Sequence, residues 1–463
     1  MTTLSRPAAI RPSRLCVVGA GYVGLTAAAC MAESGHTVTC LETNPARLAV
    51  LEQGGIPIVE PGLPEIVARN REAGRLRFGN VVAEAIDGVE HAFLCVGTPP
   101  RADGTPDLTQ IAAAARTLAA AASSDIVLVV KSTVPPGTCE ALEILATEAA
   151  RPEIRVRVVS NPEFLRESRA VEDFFAPDRI VVGADEPELG RAIADLYPAG
   201  SPVVLCDRRS AELIKYASNT FLAVKISFAN EVAGLCELLG ADSAPVLEGV
   251  GLDGRIGTAF LGPGAGFGGS CLPKDLSGFL ATAASLGYPA PVAAAALAVN
   301  DRAPEAVVDK LDLALDGLRG RRLTVLGVAF KPGTDDTRDS PAIALIGRLA
   351  AAGAIVRVHD PLASCEGLPA EACPDPYSAV LDAEAVVIAT GWPEFADLDP
   401  RRMREAMAGS VVVDGVGILR GQGWREAGFS LYGVGWGLPT RLHPVVWQAI
   451  TWAVPEAARA DAA

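Results

Sequence analysis

The chain has 463 residues, half of them hydrophobic and few aromatic, with a formal net charge of −15. That length is too great for one ordinary core and calls for two or three domains. The acidic balance argues against nucleic acid or an anionic membrane surface as partner, yet a few converging Lys and Arg can still hold a small anion.

Met1 to Arg14 is polar and basic with no apolar run behind it, which predicts a short disordered lead-in and no secretion signal. Leu15 to Val18 is an apolar strand, followed at once by Gly19-Ala20-Gly21-Tyr22-Val23-Gly24. An Ala-rich helix runs to Gly35, and a second strand, Thr37 to Leu41, ends at Glu42, 18 residues past Gly24. Strand, glycine turn, helix, strand and acid, in this order, predict a dinucleotide site. The glycines allow a tight turn and close approach of a pyrophosphate, and the helix N-terminus offers it amides. The acid accepts hydrogen bonds from ribose hydroxyls and repels a 2′-phosphate, so NAD is expected and not NADP. The competing reading is a glycine turn that holds no nucleotide.

Further strands are expected at Ala92–Val96 and Ile126–Val130. The Ala-rich run from Ala112 to Val130 is broken by Arg116 and Asp125 and reads as helix then strand, not as a membrane span. Cys16, Cys40 and Cys95 fall inside apparent strands and act there as small hydrophobes. Ten cysteines in a chain this long are not a disulfide framework, and the four histidines are too scattered to hold a metal. A reducing cytoplasm is the expected setting, with neither metal nor membrane.

Ala211 to Leu239 contains no Pro and a single Gly, Gly234. Leu213, Ile214, Tyr216, Phe221, Leu222, Val224, Ile226, Phe228 and Val232 place apolar groups on every face, the pattern of a buried helix. Lys215 and Asn219 are four apart and share a face. A buried lysine is costly unless paired or functional; the alternative is a lysine snorkelling from a surface helix. Such a helix between domains is also a natural dimer interface.

Gly264-Ala265-Gly266-Phe267-Gly268-Gly269-Ser270-Cys271-Leu272-Pro273-Lys274-Asp275 follows. Glycines lead up to one thiol, and a lysine and an aspartate come just after it. Glycine permits close backbone approach, and a nearby cation favours the nucleophilic thiolate. Cys271 is thus a candidate nucleophile, against a buried structural cysteine as the bland reading.

The opening architecture then returns. Leu323 to Gly327 is a strand opening into a loop, a helix follows over Pro341–Ala352, and Ala354 to Val358 is a strand ending at Asp360. Gly35 to Glu42 and Gly353 to Asp360 both span seven residues. Strands at Ala385–Ala389 and Val411–Asp414 complete the second unit. It lacks the glycine fingerprint and carries Phe330-Lys331-Pro332-Gly333-Thr334-Asp335-Asp336-Thr337-Arg338 in its place, so its ligand is not a dinucleotide. The fold class is α/β, with two Rossmann-like doubly wound domains joined by a long central helix and a helical dimerisation region. The expected domains are 1–208, 209–318 and 319–463.

The segments VVGAGYVGL, FLCVGTPP, KSTVPPGT, NPEFLRE, PDRIVVG, AELIKYASNTFLAVKISFANE, GLDGRIG, FLGPGAGFGGSCLPKD and GVAFKPGTDDTRDSP stand in this order. Together they resemble the UDP-glucose/GDP-mannose dehydrogenase family, and its UDP-glucose 6-dehydrogenase branch most closely, over about Leu15 to Gly437. The resemblance implies an N-terminal NAD domain, a central dimerisation segment and a C-terminal nucleotide-sugar domain. It implies oxidation of a sugar 6-hydroxymethyl to a carboxylate, with two NAD per sugar, through a thiohemiacetal and a thioester on Cys271. It gives Lys215 and Asn219 to the developing oxyanion, Asp275 to water, and Thr133 and Glu163 to the same water and proton network, with the base left open. Left to themselves, Thr133 reads as a turn cap and Glu163 and Asp275 as solvated carboxylates.

The cofactor set implied by the resemblance is Gly19, Gly21, Tyr22, Val23, Gly24, Glu42, Arg47, Thr98, Thr133, Glu167, Lys274 and Arg338. The substrate set is Glu163, Phe164, Leu165, Lys215, Asn219, Arg255, Gly268, Phe330 and Lys331, with Arg255 reaching the partner subunit's substrate in a homodimer. Two departures bear on the ligand. Where the family has Asp-Gly-Arg-Asn, this chain reads Asp414-Gly415-Val416-Gly417, with Arg420 as a candidate substitute. Where it prefers glycine after the glutamate, this chain has Ser168 after Glu167. UDP-glucose, a dTDP-glucose or another nucleotide glucose are all open as substrate. GDP-mannose or a UDP-N-acetylhexosamine is the alternative within the family. A non-catalytic NAD- or sugar-nucleotide-binding regulator and a one-step hydroxyacid dehydrogenase are the alternatives outside it; loss of Cys271 or Lys215 would favour the first, and both are present, while the second does not explain the thiol loop.

Overall fold

A computed structural model describes residues 10–419 and 423–436; the lead-in over 1–9 and Arg420 lie outside the described residues. Arg14, expected in the lead-in, opens the first strand. The chain divides into two compact units, one drawn from Met1–Phe221, Cys271–Pro291 and Gly333–Asp335, the other from Leu222–Ser270, Val292–Pro332 and Asp336–Ala463.

The first unit is built on β1 (Arg14–Val18), β2 (Thr37–Leu41), β3 (Leu76–Gly79), β4 (His91–Leu94), β5 (Ile126–Val130), β6 (Val156–Ser160), β7 (Ile180–Gly183) and β8 (Val203–Cys206). They lie in the order β3-β2-β1-β4-β5-β6-β7-β8. All neighbours are parallel except β6 and β7. The central strands are buried runs of Val, Leu and Cys, as a parallel sheet covered on both faces requires. The helix Tyr22–Glu33 follows β1, and Gly35, at φ +103°, lets the chain turn into β2.

The second unit carries β9 (Arg322–Leu326), β10 (Ile355–His359), β11 (Glu371–Ala372), β12 (Ala385–Ile388), β13 (Val411–Asp414) and β14 (Ser430–Gly433). Their order is β11-β10-β9-β12-β13-β14, all parallel. The repeat expected from sequence holds down to single atoms. Gly19 donates its amide to Leu41 and Gly327 to His359, both at 2.8 Å. Their φ angles are +95° and +98°. In each sheet the strand order reverses beside the first strand, which is where open α/β sheets bind ligands, beyond the carboxyl ends.

The loops differ where it matters. Asp360 accepts the amides of Val328, Ala329, Leu362 and Ala363 and the indole N–H of Trp392. That carboxylate is saturated by its own chain and has no capacity left for a ribose.

The long helix runs from Arg208 to Leu239. The expectation that it is buried all round needs correction. Lys215, Tyr216 and Ala223 are buried, but Phe221, Phe228 and Leu235 are 64%, 49% and 56% exposed, and Leu213, Leu238 and Leu239 are exposed as well. One face is packed inside this chain and the other is an uncovered apolar stripe.

Candidate active site

The glycine turn after β1 has the shape that a dinucleotide needs. A Cβ on Gly24 would stand 1.8 Å from the Gly19 carbonyl oxygen, whereas a Cβ on Gly21 would meet nothing within 4 Å. Gly24 therefore serves helix packing and Gly21 leaves open space above the turn. Glu42 accepts the amides of Ala20 and Asn44 and pairs with Arg47 at 3.0 Å. Burial alone would raise its carboxyl; the Asn44 amide, Arg47 and the Ala20 amide outweigh that and hold it below the usual range. An ionised acid at this place fits a ribose diol and opposes a 2′-phosphate, so the turn fits NAD.

Tyr22 is half-buried, its hydroxyl bonded to Glu60 and accepting the Ser168 amide at 2.6 Å. Val23 packs against the core, Thr98 is buried and donates to the Thr133 carbonyl at 2.9 Å, and Glu167 is buried. Thr133 caps no helix, since the helix that follows is capped at Gly137. Ser168 has φ +63°, the left-handed region. That is the physical reason a glycine suits the place: its missing Cβ removes the clash that Ser168 must bear.

The thiol region draws on three elements of the first unit. Cys271 is half-buried and stands at the N-cap of the helix Leu272–Ser285, whose first turn carries Lys274 and Asp275. Lys215 and Asn219 come from the long helix, one turn apart. Glu163, Phe164 and Leu165 come from the segment after β6. The Lys215 ammonium donates to Glu163 at 2.9 Å, and Asn219 donates to Asp275 at 2.5 Å. Lys274 pairs with the other Asp275 oxygen. Glu163 also accepts the Leu165 amide at 2.6 Å. Lys215, Asn219, Glu163 and Asp275 are all buried, so neither carboxylate is a solvated surface group and the lysine does not snorkel.

Burial alone would depress the Lys215 ammonium; Glu163 first, then Cys271 and Asp275, outweigh it and hold it above the usual lysine range. Burial alone would raise Glu163; Lys215, the Leu165 amide and Lys131 hold it below the usual carboxylate range. A fixed ammonium and a fixed carboxamide on one buried face, beside a thiol at a helix N-terminus, are suited to a negative charge that develops during reaction. No other cysteine has such a setting. Burial pushes Cys16, Cys30 and Cys95 up to about 12 and Cys206 up to about 11.

Arg255, Gly268, Phe330, Lys331 and Arg338 belong to the second unit. Arg255 projects from the loop after the helix Ser243–Gly251, 89% exposed, held by Asp253. Arg338 pairs with Asp336 through two nitrogens, and the Lys331 ammonium lies 5.5 Å from the Phe330 ring centroid. The glycines before the thiol answer to packing here. A Cβ on Gly268 would stand 2.2 Å from the Asp339 carbonyl oxygen, and one on Gly269 would stand 2.6 Å from the Phe330 ring. Val416 and Ile418 close over Gly391, and Asp414 folds its loop by accepting the amides of Val416, Gly417 and Leu419.

Two cations in this region stand outside the sequence-derived set. Arg179 stacks on Phe164 at 3.7 Å, on a ring that Lys215 also approaches at 5.4 Å. Lys131 is buried at the end of β5. A lysine closing the apolar run Ile126–Val130 is the one sequence signal that points to it. Among the described residues no group of three or more His, Cys, Asp or Glu could hold a metal ion, and no helix is long and apolar enough to cross a membrane.

Two nucleotide-type sheets, a dinucleotide turn and a thiol held beside a buried lysine define a nicotinamide-dependent oxidoreductase. Residues 13–199 match the NAD binding domain of the UDP-glucose/GDP-mannose dehydrogenase family, 209–302 its central domain and 324–421 its UDP binding domain, and the chain belongs to that family. It is 44% identical over 437 residues to a UDP-glucose 6-dehydrogenase of Rhizobium meliloti (strain 1021), covering 91% of this chain and 99% of the relative. A UDP-glucose dehydrogenase structure from Pyrobaculum islandicum superposes with a TM-score of 0.87 at 43% identity, over 93% of this chain and 99% of that one. A UDP-D-ManNAc dehydrogenase structure from Pyrococcus horikoshii gives 0.83 at 28% identity, over 91% and 99%.

Proposed function

We propose that this chain is an NAD-dependent UDP-glucose 6-dehydrogenase that oxidises the sugar 6-hydroxymethyl to a carboxylate in two steps. The observation that carries it is Cys271 at a helix N-cap, beside the buried set Lys215, Asn219, Glu163 and Asp275. Identity of 44% to a UDP-glucose enzyme, against 28% to a UDP-D-ManNAc enzyme, favours glucose over an N-acetylhexosamine. A 28% identity to a GDP-mannose dehydrogenase structure weighs the same way.

The turn of Gly19, Gly21, Tyr22, Val23 and Gly24 would hold two NAD in succession, each of which would supply the hydride acceptor for one of the two oxidations. Glu42 and Arg47 hold its ribose end; Thr98, Thr133, Glu167, Lys274 and Arg338 complete that set. The sugar hydroxyl gives its proton to a base and its carbon gives up hydride, leaving an aldehyde. The Cys271 thiolate adds to the aldehyde carbon, and the oxygen becomes an alkoxide facing Lys215 and Asn219. Loss of a second hydride gives a thioester. Water positioned by Asp275, Thr133 and Glu163 attacks its carbonyl, and carboxylate and thiol separate. Lys215 and Asp275 in place, with Asn219 locked to Asp275, make the oxyanion site pre-formed.

The substrate is held by Glu163, Phe164, Leu165, Lys215, Asn219, Gly268, Phe330 and Lys331, with Arg255 acting across a homodimer. The exposed stripe Phe221, Phe228 and Leu235, at seven-residue spacing on the long helix, supports that dimer. Domains 1–208, 209–318 and 319–463 would divide NAD binding, dimerisation and nucleotide-sugar binding. Ten cysteines without a disulfide suit a reducing cytoplasm. The test is NADH released per sugar over a panel of nucleotide sugars. Two per UDP-glucose supports the reading; one per sugar removes the thioester route.

A further inference from the structure

Lys131 is 4% exposed, yet it forms no ion pair with a carboxylate among the described residues. Its ammonium donates to the Tyr197 hydroxyl at 2.9 Å and to the Asn161 side-chain oxygen at 3.4 Å. Tyr197 donates to that same oxygen at 2.5 Å. Asn161 is further fixed by its amide on Val130 and its carboxamide on Val181, both at 2.8 Å. All these partners are neutral. A buried ammonium with neutral partners is costly, and a neutral side chain could brace the same turn at less cost.

The charges around it show what the ammonium contributes. Asn161 stands two residues before Glu163. Glu163 pairs with Lys215 of the long helix at 2.9 Å, and the charge of Lys131 at the end of β5 also helps to hold its carboxyl below the usual range. Cys271 and Asp275 also act on Lys215, helping to hold its ammonium above the usual lysine range. If Lys215 were the only cation near Glu163, the pair would cancel and little attraction would remain for an alkoxide. A second positive charge acting on Glu163 from behind Asn161 leaves Lys215 partly uncompensated.

We propose that Lys131 is a positioning residue: it fixes the turn that carries Glu163 and supplies the second positive charge that leaves Lys215 available to the substrate oxyanion. The proposal rests on the dehydrogenase reading above. It concerns Lys131, which is a member of neither the proposed catalytic set nor the proposed substrate set and acts through Asn161 and Glu163.

The test is the pH profile of kcat/KM for the full-length enzyme and its Glu163→Gln, Lys131→Met, Lys131→Arg and Tyr197→Phe variants, with folding checked by thermal unfolding and NAD binding. The wild type shows an acidic limb that is absent in Glu163→Gln. In Lys131→Met that limb moves up by on the order of one pH unit, and kcat falls on the order of tenfold. Lys131→Arg restores the limb, and Tyr197→Phe, which keeps the charge, leaves it in place. Lys131→Gln takes the place of the methionine variant if that one does not fold. A limb unmoved in Lys131→Met, or moved equally in Tyr197→Phe, overturns the proposal while two NADH per sugar leaves the dehydrogenase reading standing. A limb that persists in Glu163→Gln overturns both the proposal and the place of Glu163 in that reading.

Discussion

Lys215 and Glu163 meet at 2.9 Å with side chains only 4% and 6% exposed. Burying either charge alone is far costlier than burying both, so the pair is strongly coupled. Lys215→Met and Glu163→Gln are each expected to destabilise the fold by about 3–5 kcal/mol. The double variant is expected to cost less than the two together. Chemical denaturation of the four proteins checks this, and strict additivity would refute it.

The same pair sets a pH window. The Glu163 pKa is lowered from 4.5 by folding, so its contribution is present above 4.5 and is lost as pH falls through the folded value. The Lys215 pKa is raised from 10.5, so its contribution is present below 10.5 and is lost as pH rises through the folded value. Relative to the double variant, the wild type is expected to lose its advantage only below 4.5 and above 10.5. Denaturation midpoints measured across pH read this directly. A loss centred near neutrality would contradict the assignment.

Cys271→Ser is expected to stop the reaction before the acid. A serine hydroxyl keeps the packing, but it is a far weaker nucleophile than a thiolate at this pH. NAD affinity is expected to be unchanged, since the dinucleotide turn is separate in sequence and bonded through Glu42. Product analysis and NAD titration of the variant are the measurements. Undiminished carboxylate formation would take Cys271 out of the mechanism.

How much of this was legible in the chain depends on how local each signal is. The glycine turn, Glu42 and the repeated strand–helix–strand could be read because each is fixed by neighbours in sequence. The long helix was legible in extent, yet not in burial: its apolar residues point both inward and to the open stripe at Phe221, Phe228 and Leu235. The pairings Lys215–Glu163 and Asn219–Asp275 join residues 52 and 56 positions apart, which spacing alone does not reveal. Lys131 escaped notice because a lysine after a strand is an ordinary surface pattern. The glycines before Cys271 were visible, but the groups that press on them, Asp339 and Phe330, come from a distant loop.

Ser168 offers a stabilising change. Its φ of +63° costs a non-glycine residue about 1–2 kcal/mol, while glycine loses about 0.5–1 kcal/mol in chain entropy. The net expectation for Ser168→Gly is a gain of about 0.5–1 kcal/mol. The Ser168 amide keeps its bond to Tyr22, so NAD binding is expected to persist. Thermal unfolding of the variant is the check, and a lowered midpoint would show that the serine hydroxyl bond to Glu167 outweighs the backbone strain.

Gly269→Ala is expected to be among the most damaging small changes in the second unit. Two effects act together. At φ +83° any L side chain is strained, by about 1–2 kcal/mol. The new Cβ would also stand 2.6 Å from the Phe330 ring, which must shift and leave its packing, at about 1–3 kcal/mol more. The two can be separated with Phe330→Leu, which narrows the side chain facing Gly269. In that background Gly269→Ala is expected to cost only the backbone strain. Denaturation of the two single variants and the double variant measures the coupling. If Gly269→Ala is as harmful in the Phe330→Leu protein as in the wild type, contact with Phe330 is not what holds this position to glycine.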